Sequence, residues 1–282
     1  MWPRAMKKVH TDSSAAPPLR STLKGIRRAA LVILTALVTA NAHAQPALSP
    51  SDAAKKGRTF LTNLFDPALG LLPEYRGAKV YWLFHDNYLA AKVLADSHPM
   101  VAQSIRAAID REGVRKSGKI ELIFGEAESP LPFCQYELAD VRRFHDKAIR
   151  TEVVTSRVLE GWTAYADLLL LAGIAEKDAA AAQRHWEAAM RLWDGKGFLD
   201  AAAKHDRRYS TYKLGLALLA ADRLSPPAKL PHGMIEELLS LQDDSGGWIT
   251  DYDAADKKIG LANVETTCFA ILGIDAYSPR RQ

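Results

Sequence analysis

Five carboxylates occupy comparable places along this chain and could together support acid–base chemistry. Three junctions between predicted helices begin with glycine and a large apolar residue, and an acid follows three or four positions later: Glu74, Asp200 or Asp251. Asp86 and Glu265 lie where the following helices begin. If the junctions lie at one end of the molecule, the five acids surround one opening. Two carboxyl groups roughly 5–9 Å apart can hydrolyse a glycosidic bond.

Aromatic residues accompany these acids, and sugar rings stack on aromatic faces. We expect Asp86 and Asp251 to be the catalytic pair, with Glu265 as a third candidate. The expected saccharide-binding residues are Glu74, Tyr75, Trp82, Tyr88, Asp200, Tyr212, Lys213 and Trp248. The alternative is structural, because acids in the first turn of a helix also stabilise its positive end.

The three junctions are similar along their whole length. They read GLLPEYRGAKVYWLFHDNYLAAKVL from Gly70, GFLDAAAKHDRRYSTYKLGLALLA from Gly197, and GWITDYDAADKKIGLANVETTCFAILGI from Gly247. Each passes through a polar linker into a helix. This self-similarity indicates a repeat of stacked supersecondary units.

Hydrophobic periodicity predicts the elements that position these residues. Residues 119–125 and 136–156 alternate and predict two to four strands, a small β insertion at about residues 117–157. Elsewhere the pattern is helical and predicts eight helices, or four helical hairpins. The predicted helices cover residues 52–65, 80–95, 99–113, 160–174, 178–193, 210–223, 233–242 and 264–274.

The stretch LLSLQDDSGGW, residues 238–248, predicts how one hairpin joins the next. Gly246 and Gly247 allow a sharp turn after a helix. Trp248 can then fold back beneath the loop and pack between helix ends. Gln242 can donate hydrogen bonds to the unpaired carbonyls there.

This stretch resembles the QW-type repeat of the α/α-toroid proteins, which include terpenoid cyclases and protein prenyltransferase β-subunits. The resemblance is sharp over residues 240–274, weaker over 193–222 and 66–95, and does not cover the strands. It implies a mainly α fold of toroid-like helical hairpins, partial or open because four hairpins fall short of six, around a central cavity. The chain also resembles a group of secreted bacterial and archaeal proteins, a resemblance that supplies no activity.

Prenyl-lipid chemistry fits the residues less well. The helical part contains no strongly acidic DxDD-type motif, which the cyclases use to protonate an alkene. The prenyltransferases bind zinc through Asp, Cys and His. Cys268 has no histidine nearby, and His85 with Asp86 belongs to a distant hairpin. Since zinc needs three or four ligands, we expect neither a metal nor another cofactor.

The N-terminus predicts export. Seven basic residues precede or flank an apolar run, residues 29–40, and the sequence Ala42-His43-Ala44 suits cleavage before Gln45. Residues 1–44 are therefore expected to be a signal peptide. Twelve residues fall short of the roughly 20 needed to cross a bilayer, although an uncleaved anchor is the alternative. The expected location is periplasmic or secreted.

Removal of the leader changes the charge argument. The whole chain has 37 basic and 33 acidic residues, a net charge of +4. Without the seven basic residues and one acid of the leader, 30 basic and 32 acidic residues remain, a net charge of −2. The sequence therefore gives no reason to expect nucleic-acid binding. Cys134 and Cys268 could form a disulfide in an oxidising compartment, or remain thiols.

These observations predict an exported protein that acts on or binds carbohydrate, as a glycoside hydrolase or a sugar isomerase or epimerase-like enzyme. A non-catalytic binding or scaffold protein is the alternative, and a prenyl-lipid or cyclase-like enzyme is a weaker one. The expected domain covers residues 45–282.

Overall fold

Eight α-helices and six strands form the described part of the chain. The computed structural model describes residues 49–114, 119–126, 131 and 133–277, and the predicted signal peptide lies outside these residues. The α-helices are α1 Pro50–Leu64, α2 Leu89–Val93, α3 Pro99–Arg111, α4 Ala166–Ala175, α5 Ala179–Met190, α6 Tyr212–Arg223, α7 Met234–Ser240 and α8 Val264–Tyr277. A π-helix, Leu83–Tyr88, precedes α2, and two 3-10 helices cover Ile120–Phe124 and Trp162–Ala164.

The strands form two small sheets. In the first, the order is β1–β3–β2, with β1 parallel and β2 antiparallel to the central strand. The second has the order β4–β5–β6 and is antiparallel throughout. The strands are β1 Val80–Trp82, β2 Cys134–Phe144, β3 Lys147–Val158, β4 Tyr209–Ser210, β5 Ile249–Tyr252 and β6 Lys258–Ala262.

The expected mainly helical toroid is wrong. Helices account for 46% of the described residues and strands for 20%, which makes this a mixed α/β fold. The second sheet consists of segments that the sequence analysis assigned to polar linkers and a helix start. Within the strand predicted over residues 119–125, Ile120–Phe124 form a 3-10 helix, and β1 replaces the start of the helix predicted over residues 80–95. Short strands in linkers are hard to recognise because two to five residues show no clear alternation.

The core is centred on α8, which packs most extensively against α6. Gly215 and Gly273 allow this close approach. A Cβ atom at Gly215 would lie 2.4 Å from the Phe269 carbonyl oxygen, and one at Gly273 would lie 2.4 Å from the Gly215 carbonyl oxygen. The two backbones therefore touch, and this contact sets the distance between side chains at the start of each helix.

The predicted role of residues 238–248 is confirmed. The Trp248 side chain is fully buried, and its indole N–H donates to the Leu238 carbonyl oxygen at 2.7 Å. The Gln242 side-chain amide donates to the carbonyl oxygens of Ala53 and Gly246, both at 2.8 Å. The stretch thus attaches α1 to the junction between α7 and β5.

The three glycine-led junctions lie next to one another. Tyr75 of the first junction forms an antiparallel bridge with Asn263 of the third, and the Val264 amide donates to the Glu74 carbonyl oxygen at 3.0 Å. The second and third junctions pair through β4 and β5, where Tyr209 lies opposite Tyr252. The third junction therefore contacts both of the others through its backbone.

The structure also bears on membrane insertion and on the two cysteines. Among the described residues, the helices are all too short or too polar to span a bilayer. No disulfide joins Cys134 and Cys268, and Cys268 is buried in α8.

Candidate acid–base site

A cluster of ionisable side chains lies where the π-helix, β3, α8 and the first junction meet. We call the set Glu74, His85, Asp86, Glu152 and Glu265 the acid cluster. Four of its members are buried, and Glu74 is half-buried at its edge. The charges of the neighbouring carboxylates raise the pKa of both His85 and Asp86. Four carboxyl groups and one imidazole in a mostly buried site cannot all be charged without a large cost.

The π-helix places two of these residues side by side. Its position is fixed by Asn87, whose side chain is fully buried. The Asn87 amide accepts from the Leu72 N–H at 2.7 Å and donates to the carbonyl oxygens of Leu72 at 3.0 Å and Trp82 at 2.8 Å. One side chain thus holds the first junction, β1 and the π-helix together. Turns of π-helix occur often at functional sites.

Asp86 is the most perturbed acid in the cluster. Its side chain is buried, with the residue only 2% exposed, and its Oδ2 atom has no hydrogen-bond partner in the described part of the chain. Burial raises the pKa of Asp86 well above its usual value, and the nearby charges of Glu74, Glu265 and Glu152 raise it further. The raised pKa favours the protonated form of Asp86, which can act as a proton donor.

His85 forms a buried ion pair with Glu152. The Nδ1 atom of His85 contacts Oε1 of Glu152. Burial lowers the pKa of His85, but the charge and hydrogen bond of Glu152, with the charge of Glu265, more than offset this effect and raise the pKa overall. Glu152 therefore favours the protonated imidazole of His85. Since Glu152 belongs to β3, the first sheet contributes directly to the cluster.

Glu265 lies at the centre of these interactions. It belongs to the first turn of α8, where the Asn263 side chain caps the helix by accepting from the Thr266 N–H at 2.8 Å. Its charge raises the pKa of Asp86, His85 and Tyr212, and also that of Cys268, whose pKa burial raises most. The thiol of Cys268 therefore stays protonated.

A second polar group extends the cluster towards α4. The hydroxyl of Tyr212 donates to Oδ2 of Asp167 at 2.7 Å, and Oδ1 of Asp167 has no partner among the described residues. Burial raises the pKa of Tyr212, with contributions from Asp167 and Glu265. Lys119 lies 4.0 Å above the Tyr136 ring, and burial lowers its pKa to about 8, partly offset by Asp167 and Glu152.

The two remaining predicted acids are neutralised elsewhere. Asp200 is buried and accepts from Lys213 Nζ at 2.5 Å and from the Ala166 N–H at 3.0 Å. Asp251 accepts from two guanidinium nitrogens of Arg208, at 2.9 and 2.6 Å. The structure therefore brings together Glu74, Asp86 and Glu265, while Asp200 and Asp251 form ion pairs.

The predicted aromatic residues occupy different surroundings. Trp248 packs in the core, and Trp82 is buried with the Arg150 guanidinium 5.9 Å from its ring centre. Tyr75 is half-buried beside Glu74 at the edge of the cluster. Tyr88 lies in a separate cavity, where its hydroxyl donates to Glu126.

Sequence reasoning missed Glu152, Asp167 and Lys119, and considered His85 only as a metal ligand. Asp167 carried a detectable signal, because it is the one acid in the otherwise apolar helix ADLLLLAGIA. Glu152 carried a weaker one, as an acid among the β-branched residues of β3. Lys119 precedes a 3-10 helix and gave no signal.

Further findings concern metal binding and similarity to known proteins. Among the described residues, no group of three or more His, Cys, Asp or Glu side chains is arranged to hold a metal ion. No protein-family model matches the chain, and no curated protein matches it at a significant level.

Proposed function

We propose that this protein is an exported carbohydrate-active enzyme that hydrolyses glycosidic bonds at the acid cluster. The observation that carries the proposal is the environment of Asp86, a buried carboxyl group whose pKa is raised by burial and by three further carboxylates, Glu74, Glu152 and Glu265. Glycoside hydrolysis needs one protonated and one ionised carboxyl group, and contrasting environments produce that division.

The roles follow from the environments of the residues. Asp86 donates its proton to the glycosidic oxygen as the bond to the anomeric carbon breaks. Glu265 takes a proton from water, whose oxygen forms the new bond to that carbon. The charge of Glu265 also raises the pKa of His85, which pairs with Glu152. Substrate reaches the cluster past Glu74, its half-buried member, and Tyr75 next to it offers an aromatic face.

Substitution of the proton donor tests this proposal. Asp86→Asn keeps the shape of the neutral acid, so we expect the fold to be retained and turnover to fall about 10²–10⁴-fold. Glu265→Gln should show a similar loss. The assay is release of reducing sugar from a panel of bacterial and plant polysaccharides, with retention of the fold checked by circular dichroism.

The matched control is Asp251→Asn, which also removes a buried carboxylate next to a junction but lies in an ion pair with Arg208. It should retain turnover on the same substrate. If wild-type protein releases no sugar from any polysaccharide, or if Asp86→Asn retains full activity, the proposed hydrolysis is wrong.

A saccharide-binding protein without turnover is the second candidate. The burial of Asp86, at 2% exposure, favours it, because a catalytic acid must touch its substrate. This alternative predicts glycan-array binding with no product released from the bound glycan. It also predicts that Asp86→Asn leaves binding unchanged.

Export is part of the proposal and has its own test. We expect the protein recovered from the periplasm or medium of an expressing bacterium to begin at Gln45. N-terminal sequencing of that fraction checks the cleavage site. Recovery only in the cytoplasm, with residues 1–44 still attached, would contradict it.

A further inference from the structure

A cavity of about 670 Å³ lies beside the π-helix, between α2 and α3. This volume lies within the range of about 300–1,000 Å³ that small-molecule sites occupy. Its apolar surface comes from Phe84, Ala91 and Ile109, and its polar groups from Tyr88, Lys92, Arg106, Asp110 and Glu126. None of these residues belongs to the acid cluster, so the cavity is a separate feature of the molecule.

The charges of Lys92 and Glu126 balance each other at one side of the cavity. The Tyr88 hydroxyl and the Lys92 ammonium both donate to Glu126, which attaches the segment after the 3-10 helix to α2. The Lys92 ammonium also lies 5.2 Å from the Tyr88 ring centre and 5.1 Å from that of Phe124. The charges of Lys92 and Glu126 therefore satisfy each other, and the wall presents the Tyr88 ring.

The part of the lining that α3 contributes carries two exposed charges that have no protein partner among the described residues. Arg106 and Asp110 lie one turn apart on α3, and both line the cavity. Neither side chain forms an ion pair or hydrogen bond with a residue in the described part of the chain. Side chains four residues apart on a helix lie about 5–6 Å from each other at Cβ, so one small ligand can contact both.

We propose that this cavity binds a small amphipathic zwitterion, of the class of apolar or aromatic α-amino acids. The carboxylate pairs with the Arg106 guanidinium, which suits the bidentate geometry of a carboxylate. The ammonium pairs with Asp110, and the apolar side chain contacts Phe84, Tyr88 and Ile109. Phe84 and Tyr88 already lie with their ring centres 5.5 Å apart and form an aromatic surface for that side chain. This inference does not depend on the proposed hydrolysis.

Three probes that differ by one charge each test the proposal by isothermal titration calorimetry. L-phenylalanine carries both charges, 3-phenylpropanoate lacks the ammonium, and phenethylamine lacks the carboxylate. We expect L-phenylalanine to bind about tenfold or more tightly than either single-charge probe, since each lost charged contact removes a factor of about ten.

Matched variants assign the contacts. Arg106→Gln and Asp110→Asn should each weaken L-phenylalanine binding about tenfold with unchanged melting temperature, because both side chains are exposed on α3. Lys55→Gln removes an exposed charge from α1, away from the cavity, and should not affect binding. Equal binding of 3-phenylpropanoate and L-phenylalanine, or no binding of L-phenylalanine at millimolar concentration, overturns the proposal.

Discussion

The acid cluster and the ion-paired acids use the same residue types in opposite ways. Asp200 and Asp251 each face a cation, Lys213 or Arg208, and their charges are balanced within hydrogen-bond distance. In the acid cluster, carboxylates mostly face other carboxylates, and the one cation, His85, is paired with Glu152. Both regions lie at glycine-led junctions with similar sequences. The partner of a buried carboxylate, rather than its place in a repeat, thus decides whether it stabilises the fold or holds a proton.

The physical cause is the cost of burying charge. A buried carboxylate loses hydration and needs a cation or several donors to remain ionised. Asp200 has Lys213 and backbone N–H groups from Ala166, Ala202 and Ala203. Asp86 has none of these for its Oδ2 among the described residues, and its pKa is raised.

The largest expected effect on stability is in the ion-paired region. Asp200→Asn leaves Lys213, whose side chain is only 3% exposed, as an uncompensated buried charge. We expect a loss of about 3–5 kcal/mol in the free energy of unfolding, measured by urea denaturation.

The double variant Asp200→Asn/Lys213→Met is the control for that loss. It removes the unpaired cation and should recover part of the stability. A loss below about 1 kcal/mol for the single variant would contradict the structural role of this pair.

A smaller effect is expected for the other ion pair. Asp251→Asn weakens two charged hydrogen bonds, but the Arg208 side chain is 42% exposed, and water screens the interaction. We expect a loss of about 1 kcal/mol, checked by a double-mutant cycle with Arg208→Gln. A coupling energy above about 3 kcal/mol would show that the pair is as critical as Asp200–Lys213.

The smallest effect is expected in the acid cluster, where substitution of Asp86 increases stability in a way that depends on pH. The pKa of Asp86 is higher in the folded than in the unfolded protein, so its neutral form favours folding at low pH. As the pH rises above the unfolded pKa of about 4, wild-type protein loses this advantage progressively, until the pH passes the folded pKa. Asp86→Asn does not titrate.

The melting temperature of Asp86→Asn should therefore equal that of wild type near pH 4 and exceed it at pH 7. Differential scanning fluorimetry over this range checks the trend. A variant that is destabilised by more than about 1 kcal/mol at pH 7 would show that Asp86 is an ionised, partnered carboxylate like Asp200.

Local sequence patterns predicted much of the helical structure. The helix expected over residues 178–193 is present as α5, and that over 264–274 as α8. Gln242, the two glycines and Trp248 fix their own contacts, because a turn with a positive φ at Gly246 returns the indole beneath α7. These helices and this turn depend on residues that are close together in the sequence, so the residue types alone predict them.

The sequence did not predict β1, the π-helix or the second sheet. Residues 80–95 are apolar nearly throughout, so their pattern does not distinguish β1 and the π-helix from a continuous helix. The second sheet forms because β4 pairs with β5 from a segment some 40 residues away, and neither strand has a strong pattern of its own. Pairing between distant segments, rather than local preference, determines β1 and the second sheet.

The sequence by itself determined that acids would gather at glycine-led junctions and that Trp248 would hold two helices together. It did so because turns, caps and apolar stripes are local properties. Only the tertiary structure decided which acids pair with a cation. The packing of the π-helix, β3 and α8 places Asp86 beside other carboxylates, whereas Asp200 and Asp251 each meet a cation, and the charge of a buried group depends on the neighbours that folding brings within a few ångströms.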